Sequence, residues 1–434
     1  MKKEKRTTAS KLFGLFGGNT EEGANPEPEH KERPKHTEKG LKEVVKYTEK
    51  YPGYDLVDRE TPDVAEIGKS SRYHLGKDGY YHPSNPGNQG SAVLMFTGDL
   101  MCRAGQQTAA LERYGEYVFD ESYSMVKDVF SKADLVTGNL ETTLCARAPY
   151  MSELGRADGN PHDNAPPSYL RAVKYAGFDL VAMANNHACD SGVYGILDTL
   201  DNVESYNFMH TGTFPKKGVQ RFILVEVNGI KVAVMSYATH FNRKDKLMTE
   251  EGRKILLNKY SKERLARHVR QARELGAEFI VAYNHWGKEF THDITEKQET
   301  RAKDMADAGV DYIIGSHPHS LQKYDIITAE DGRRVPVFYS LGNFLSNMPK
   351  EITKDTGIVK LVLSRDEDGK VKIADEGFIP CYIYESFDGK DFVTVPLFAE
   401  NSNDENKDFF EESFERIKEI MGDRITCIDS MERV

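Results

Sequence analysis

The strongest constraint on the fold is a repeated pattern. A short apolar run stops at polar side chains capable of chemistry, and a segment of helical spacing follows. VDYIIGSHPHSLQ (310–322) is one instance: the apolar run ends at Gly315 and gives way to two histidines flanking a proline. The other runs are AVLMF (92–96), ADLVTG (133–138), DLVAMA (179–184), FIVAY (279–283) and VPVFYSLG (335–342). Their length and continuous apolarity read as strands covered on both faces. Segments 121–132, 167–177, 193–205, 261–275, 296–308 and 405–421 have helical spacing. RFILVEV-NG-IKVAVMSY (221–237) reads as a hairpin turning at Asn-Gly, and 357–380 as further hairpin strands. Strand–helix alternation interrupted by hairpins predicts an α/β fold with mixed sheets.

The residues that follow each strand carry the functional signal. They are Asp99 and Arg103; Asn139 and Glu141; Asn185, Asn186, His187 and Asp190; Asn284, His285, Trp286 and Glu289; His317 and His319; and Asn343. In an open α/β sheet the carboxyl ends of the strands meet at the ligand-binding edge, so these groups are expected to converge. Imidazole and carboxylate together suit Mn, Fe or Zn. Pro318 stiffens the link between the two histidines and removes a backbone N–H. Cys102 and Cys189 read as small buried fillers, and His268, borne on a helix, as a surface residue. His292 reads as solvated or facing substrate, His162 as a lid contact or exposed turn.

Composition narrows the class. The net charge of −11 argues against general nucleic-acid binding. It also means that an anionic substrate needs a local cationic or metal centre. Five cysteines, widely spaced and without C-x-x-C, read as free thiols in a reducing compartment. No apolar run reaches the roughly 18 residues of a membrane helix. The expected location is therefore cytoplasmic, with peripheral membrane contact open through the basic start MKKEKRTTASKLFGLFGGN. The expected organisation is a disordered charged tail (1–40), an extension packed on the main domain (41–90), the main domain (91–400) and a C-terminal helix and tail (401–434).

Through GD…GNLE…NNH…HWG…GSHPH…SLGNF the sequence resembles the CapA/PgsA family of poly-γ-glutamate capsule biosynthesis proteins, over about residues 92–345. The resemblance implies a calcineurin-like metallophosphatase fold, an α/β/β/α sandwich with mixed sheets. It implies divalent metal at Asp99, Glu141, Asn186, His285, His317 and His319. His187 would be the proton donor, with Asp190 either orienting it or capping the helix that starts near residue 191, and Arg103 would supply positive charge if no metal binds. Among the strand-end residues, Asn139 and Asn185 read as substrate contacts, Trp286 as a site wall or a core residue, and Asn343 as tying its loop by hydrogen bonds or contacting substrate. Two residues after Asp99, where the phosphatase motif has histidine, stands Met101, a poor ligand for hard cations. That leaves two metals, one, or none. The implied partner is an anionic small molecule or a polyglutamate-type polymer. The implied activity is metal-dependent hydrolysis, with a non-catalytic scaffold and a small-molecule or nucleotide phosphoesterase as alternatives.

Overall fold

The computed structural model describes residues 71–154, 162–386, 389, 391–403 and 406–434. The expected tail (1–40) and residues 41–70 of the expected extension lie outside them. The strands in chain order are β1 (Tyr73–Leu75), β2 (Tyr81–Pro83), β3 (Ser91–Leu100), β4 (Leu135–Leu140), β5 (Leu180–Ala182) and β6 (Met209–Thr211). There follow β7 (Ile223–Val227), β8 (Ile230–Ala238), β9 (Phe279–His285), β10 (Tyr312–Ser316), β11 (Leu321–Thr328) and β12 (Arg334–Leu341). The last are β13 (Asn343–Leu345), β14 (Asp355–Arg365), β15 (Val371–Glu385) and β16 (Phe392–Pro396). The helices are α1 (Ala104–Tyr114), α2 (Lys127–Phe130), α3 (Tyr169–Ala176), α4 (Gly192–Ser205), α5 (Glu250–Leu256), α6 (Lys262–Glu274), α7 (Glu296–Ala308) and α8 (Lys407–Met421).

Two mixed sheets form. One runs β1-β2-β7-β8-β9-β10-β12-β11, the other β16-β15-β14-β3-β4-β5-β6, with β13 beside β3. The first is parallel at its centre (β8-β9-β10-β12), flanked by the antiparallel β7–β8 hairpin and the antiparallel strand β11; the second is parallel from β3 to its edge strand β6 and antiparallel from β3 to β16. Side chains alternate across each strand, and here both faces are dry. In β3, Leu94 and Phe96 enter the layer between the sheets with Val232, Val234, Tyr312 and Ile314. Met95 points to the opposite face, against the layer of α3 and α4 that includes Val173 and Leu200. The other sheet packs its outer face on Leu265 and Val269 of α6 and Met305 of α7. The result is the expected α/β/β/α sandwich. Burial on both faces is why the strands read as apolar runs, each large side chain contributing about 1.5–3 kcal/mol.

Three expectations change. Segment 121–132 is a 3-10 turn (Asp120–Val126) followed by the four-residue α2, not one helix. Its buried side chains Tyr123 and Val126 are three apart, which matches three residues per turn. His268 is buried, and its Nδ1 lies 2.9 Å from the Tyr237 hydroxyl. The helix turns this residue toward the sheet beside Leu265 and Val269. Trp286 is fully buried with the α6–α7 layer, its indole N–H donating to the Tyr339 carbonyl at 2.9 Å. One step along β9 from His285, its side chain takes the opposite face and offers no surface to a substrate.

Candidate metal centre

The carboxyl ends of the parallel strands of both sheets face one another, and the acids and imidazoles gather there. Asp99 closes β3. Its N–H donates to the Gly342 carbonyl at 3.0 Å, and a Cβ on Gly98 would stand 1.9 Å from that same oxygen. Only glycine permits this approach, and the approach sets where Asp99 stands. The Asn139 amide, from β4, donates to Asp99 at 2.7 Å and to Glu141 at 3.3 Å, joining the two carboxylates. Asn185 donates to the Leu140 carbonyl at 2.7 Å and to Asn139 at 3.3 Å. All of these groups are buried.

The histidines come from the other sheet. His285 is held at Nδ1 by the Ser316 hydroxyl (3.0 Å). Its Nε2 lies 2.8 Å from Asn186 Oδ1 and 3.4 Å from Glu141 Oε1. His319 is held at Nδ1 by Asn343 Oδ1 (2.8 Å), beside Asp99 Oδ2 (3.4 Å), and its Nε2 lies 3.9 Å from Glu141 Oε1. The backbone around Pro318 carries strain: φ is +98° at His317 and +56° at His319, a region that non-glycine residues rarely enter. The turn thus aims both rings inward.

Three groups of residues bring possible ligand atoms within 4.8 Å of one another: Glu141–His285–His317, Asp99–Glu141–His319 and Glu289–His317–His319. Glu141 Oε1 and His317 Nδ1 are buried without a hydrogen-bond partner. Buried polar atoms without partners are uncommon, and here an acceptor oxygen and an imidazole nitrogen share one cluster. Burial, then Asp99, push the Glu141 carboxyl well above its usual range. Burial, then neighbouring histidines, hold His285 and His317 well below theirs, so both rings are neutral and have lone pairs to offer. A divalent cation fits this donor set: it would satisfy both orphaned atoms and offset the repulsion between the buried carboxylates. Met101 is fully buried and supplies no hard donor.

His187 lies beside this cluster. Its Nδ1 is 2.7 Å from Asp190 Oδ2, and its Nε2 is 3.4 Å from Asp163 Oδ2 and 3.9 Å from Glu141 Oε1. Burial opposes charge on the ring, but Asp163 and then Asp190 outweigh it and raise the pKa. Ser191, not Asp190, stands at the N-cap of α4, so the Asp190 carboxylate serves His187. It also accepts from the Asp163 N–H (2.8 Å) and pairs with Lys244 (3.1 Å). Arg103 joins the site indirectly, through a 3.1 Å ion pair with Asp163.

Asn139 ties the two carboxylates together, Asn185 braces Asn139, and Asn343 positions His319. His292 bonds the Leu321 carbonyl at 2.7 Å, and His162 lies 3.2 Å from Lys244. Three residues escaped the sequence reading as part of this set: Asp163, Lys244 and His240. His240, whose ring stacks edge-on to His317 at 4.8 Å, and Lys244 both follow β8. The strand-end rule applied to β8 would have found them. Glu289, one of the strand-end residues, is not among the expected ligands but groups with His317 and His319. Asp163 follows no strand; it adjoins His162, in the loop read as a lid contact or an exposed turn.

The family model for bacterial capsule synthesis protein PGA_cap matches residues 93–348, which take in every residue of the cluster. The chain is 30% identical over 271 residues to "Capsule biosynthesis protein CapA" of Bacillus anthracis, covering 62% of this chain and 63% of that protein. It is 27% identical over 285 residues to "PGA biosynthesis protein CapA" of Bacillus subtilis (strain 168), covering 64% and 69%. The match thus spans less than two thirds of the length of the Bacillus anthracis relative. Among solved structures, the calcineurin-like phosphoesterase YfkN from Bacillus subtilis superposes with a TM-score of 0.43 at 17% identity, covering 76% of this chain and 99% of that one. On the family match across residues 93–348, this chain belongs to the bacterial capsule synthesis protein PGA_cap family.

Proposed function

We propose that this chain is a metal-dependent hydrolase of capsule biosynthesis acting on a phosphoester or related anionic substrate. The observation that carries the reading is the orphaned Glu141 Oε1, ringed by His285 and His319 with His187 at its margin. Asp99, Glu141, Asn186, His285, His317 and His319 would hold one or two ions of Mn, Fe or Zn. Bound metal would supply Lewis acidity toward an anionic oxygen and a nucleophilic water at neutral pH. The chain's own residues do the rest. Asp190 fixes the His187 ring through Nδ1, and Asp163 favours its protonated form. His187 Nε2, facing the cluster, therefore holds a proton ready for a leaving group. Arg103 anchors Asp163 from the rim.

The relatives' names support a place in capsule biosynthesis; the partner in this reading is an anionic small molecule or a polyglutamate-type polymer. The net charge of −11 argues against nucleic acid. All five cysteines are free, which supports a reducing, cytoplasmic setting; among the described residues no helix is long and apolar enough to cross a membrane.

The test is turnover of an aryl phosphate with Mn. His187→Ala should lower turnover about 100-fold or more with metal content unchanged. His317→Ala/His319→Ala should abolish both by elemental analysis. Metal-free wild-type protein without turnover would leave a non-catalytic binding subunit instead, and undiminished turnover in His187→Ala would remove the proton-donor role from that residue.

A further inference from the structure

A second cationic centre lies outside the metal cluster and shares no residue with it. On the outer face of the β7–β8 sheet, α6, the 216–222 segment and α5 enclose a cavity of about 800 Å³. Arg264 and Arg267 line it from α6, Arg221 and Lys216–Lys217 from the segment before β7, and Lys254 from α5. Glu251 and Glu274 are the carboxylates on its wall. This concentration of positive charge sits in a chain whose net charge is −11.

The arginines lack the partners that such side chains ordinarily take. Among the described residues, no ion pair joins Arg221, Arg264 or Arg267 to a carboxylate, whereas Lys254 pairs with Glu250 at 2.6 Å. Arg221 is braced from behind: its guanidinium lies over the Phe214 ring at 4.2 Å and donates to the carbonyls of Ile255 and Lys254. Arg264 is braced by the Lys259 carbonyl at 2.6 Å. Backbone oxygens orient these cations without neutralising them. Arg264 and Arg267 are one helical turn apart, so they present adjacent heads to the same space. Burial, then Arg264 and Arg267, bring Arg221 down to about 10. His268, buried at the back of the cavity, is pushed down to about 3 by burial, then by Arg267, Arg221 and Arg264. Guanidinium groups packed together and not paired with a carboxylate among the described residues are the complement of a multivalent oxyanion.

We infer that this cavity is a binding site for a small multivalent anion presenting clustered oxyanions, separate from the metal centre. Phosphate and carboxylate ligands share that chemistry, and guanidinium forks accept both. The inference does not rest on the hydrolase reading.

Calorimetric titration of the full chain at low salt, with inorganic tripolyphosphate and separately with citrate, tests it. At least one should bind, and binding should weaken at least tenfold in Arg264→Gln/Arg267→Gln. It should persist in His317→Ala/His319→Ala, which separates this site from the metal centre. Tripolyphosphate alone would assign the phosphate class; binding of both would assign a site tolerant of carboxylates. Arg264 is half-buried and Arg267 exposed, so the double variant should keep its fold, and Arg267→Glu gives a second variant that should also weaken binding. Binding that survives both arginine variants, binding lost in the histidine variant, or no binding of either anion would overturn the inference.

Discussion

At the scale of single residues, the chain pays for its cluster in backbone strain. His317 and His319 occupy positive φ, where glycine would sit without penalty, and such positions cost roughly 1–3 kcal/mol each. Their side chains therefore carry a role that glycine cannot fill. His317→Gly should be more stable than His317→Ala, by about 1 kcal/mol in urea unfolding of metal-free protein, while both lose metal equally. Equal stability of the two variants would show that the turn is unstrained. The same scale separates residues that touch the centre from residues that place them. Asn343 holds His319 at Nδ1, so Asn343→Ala should lower metal affinity about 10- to 100-fold, read by competition with a chelator, while Asn343→Asp, which keeps the acceptor, restores it. Affinity unchanged in the alanine variant would mean the turn alone orients the ring.

At the scale of elements, the close crossing of β3 over the loop after β12 brings Asp99 of one sheet toward His317 and His319 of the other. Gly98→Ala would drive a methyl group into the Gly342 carbonyl, and backbone cannot move aside as a flexible side chain can. The expected cost is about 1–3 kcal/mol with loss of bound metal. A variant with wild-type melting and metal content would refute that tight coupling. The strands were legible because both faces are buried, which makes them continuous apolar runs. The helix α1 was not, because its buried positions Gln106, Gln107, Ala109 and Ala110 are small or polar and leave no apolar stripe. Edge strand β11 escaped for another reason: it grades from buried at Leu321 to exposed at Thr328 and reads LQKYDIIT without a clear period. Helix α8 was legible as a helix, but its role was not. Phe410, Ile417 and Met421 reach into the layer between the sheets, a contact far away in sequence.

At the scale of the whole molecule, charge is partitioned between an acid–imidazole edge and a guanidinium cavity, and the second leaves a mark on stability. His268 is neutral in the folded chain, with a folded value near 3 against an ordinary 6.5. The unfolded chain takes up the proton first as pH falls, so stability is full above about pH 6.5 and declines toward pH 3, by up to roughly 2 kcal/mol at pH 5. Urea unfolding at pH 7 and pH 5 should show this loss in the wild type and less of it in His268→Gln. An identical loss in both would assign the acid sensitivity to other groups.

The sequence by itself determined the strand–helix alternation, the family and the strand ends at which chemistry would gather, because each is written in local periodicity and short motifs. Only the tertiary structure decided which side chains meet. Trp286 stands beside His285 in the chain yet faces the opposite layer, whereas Asp163, on a loop that follows no strand, lies 3.4 Å from His187. The guanidinium cavity likewise draws its walls from three separate segments. Such contacts are set by how two sheets pack face to face and where their crossings close, and that packing depends on pairs of residues far apart in the chain.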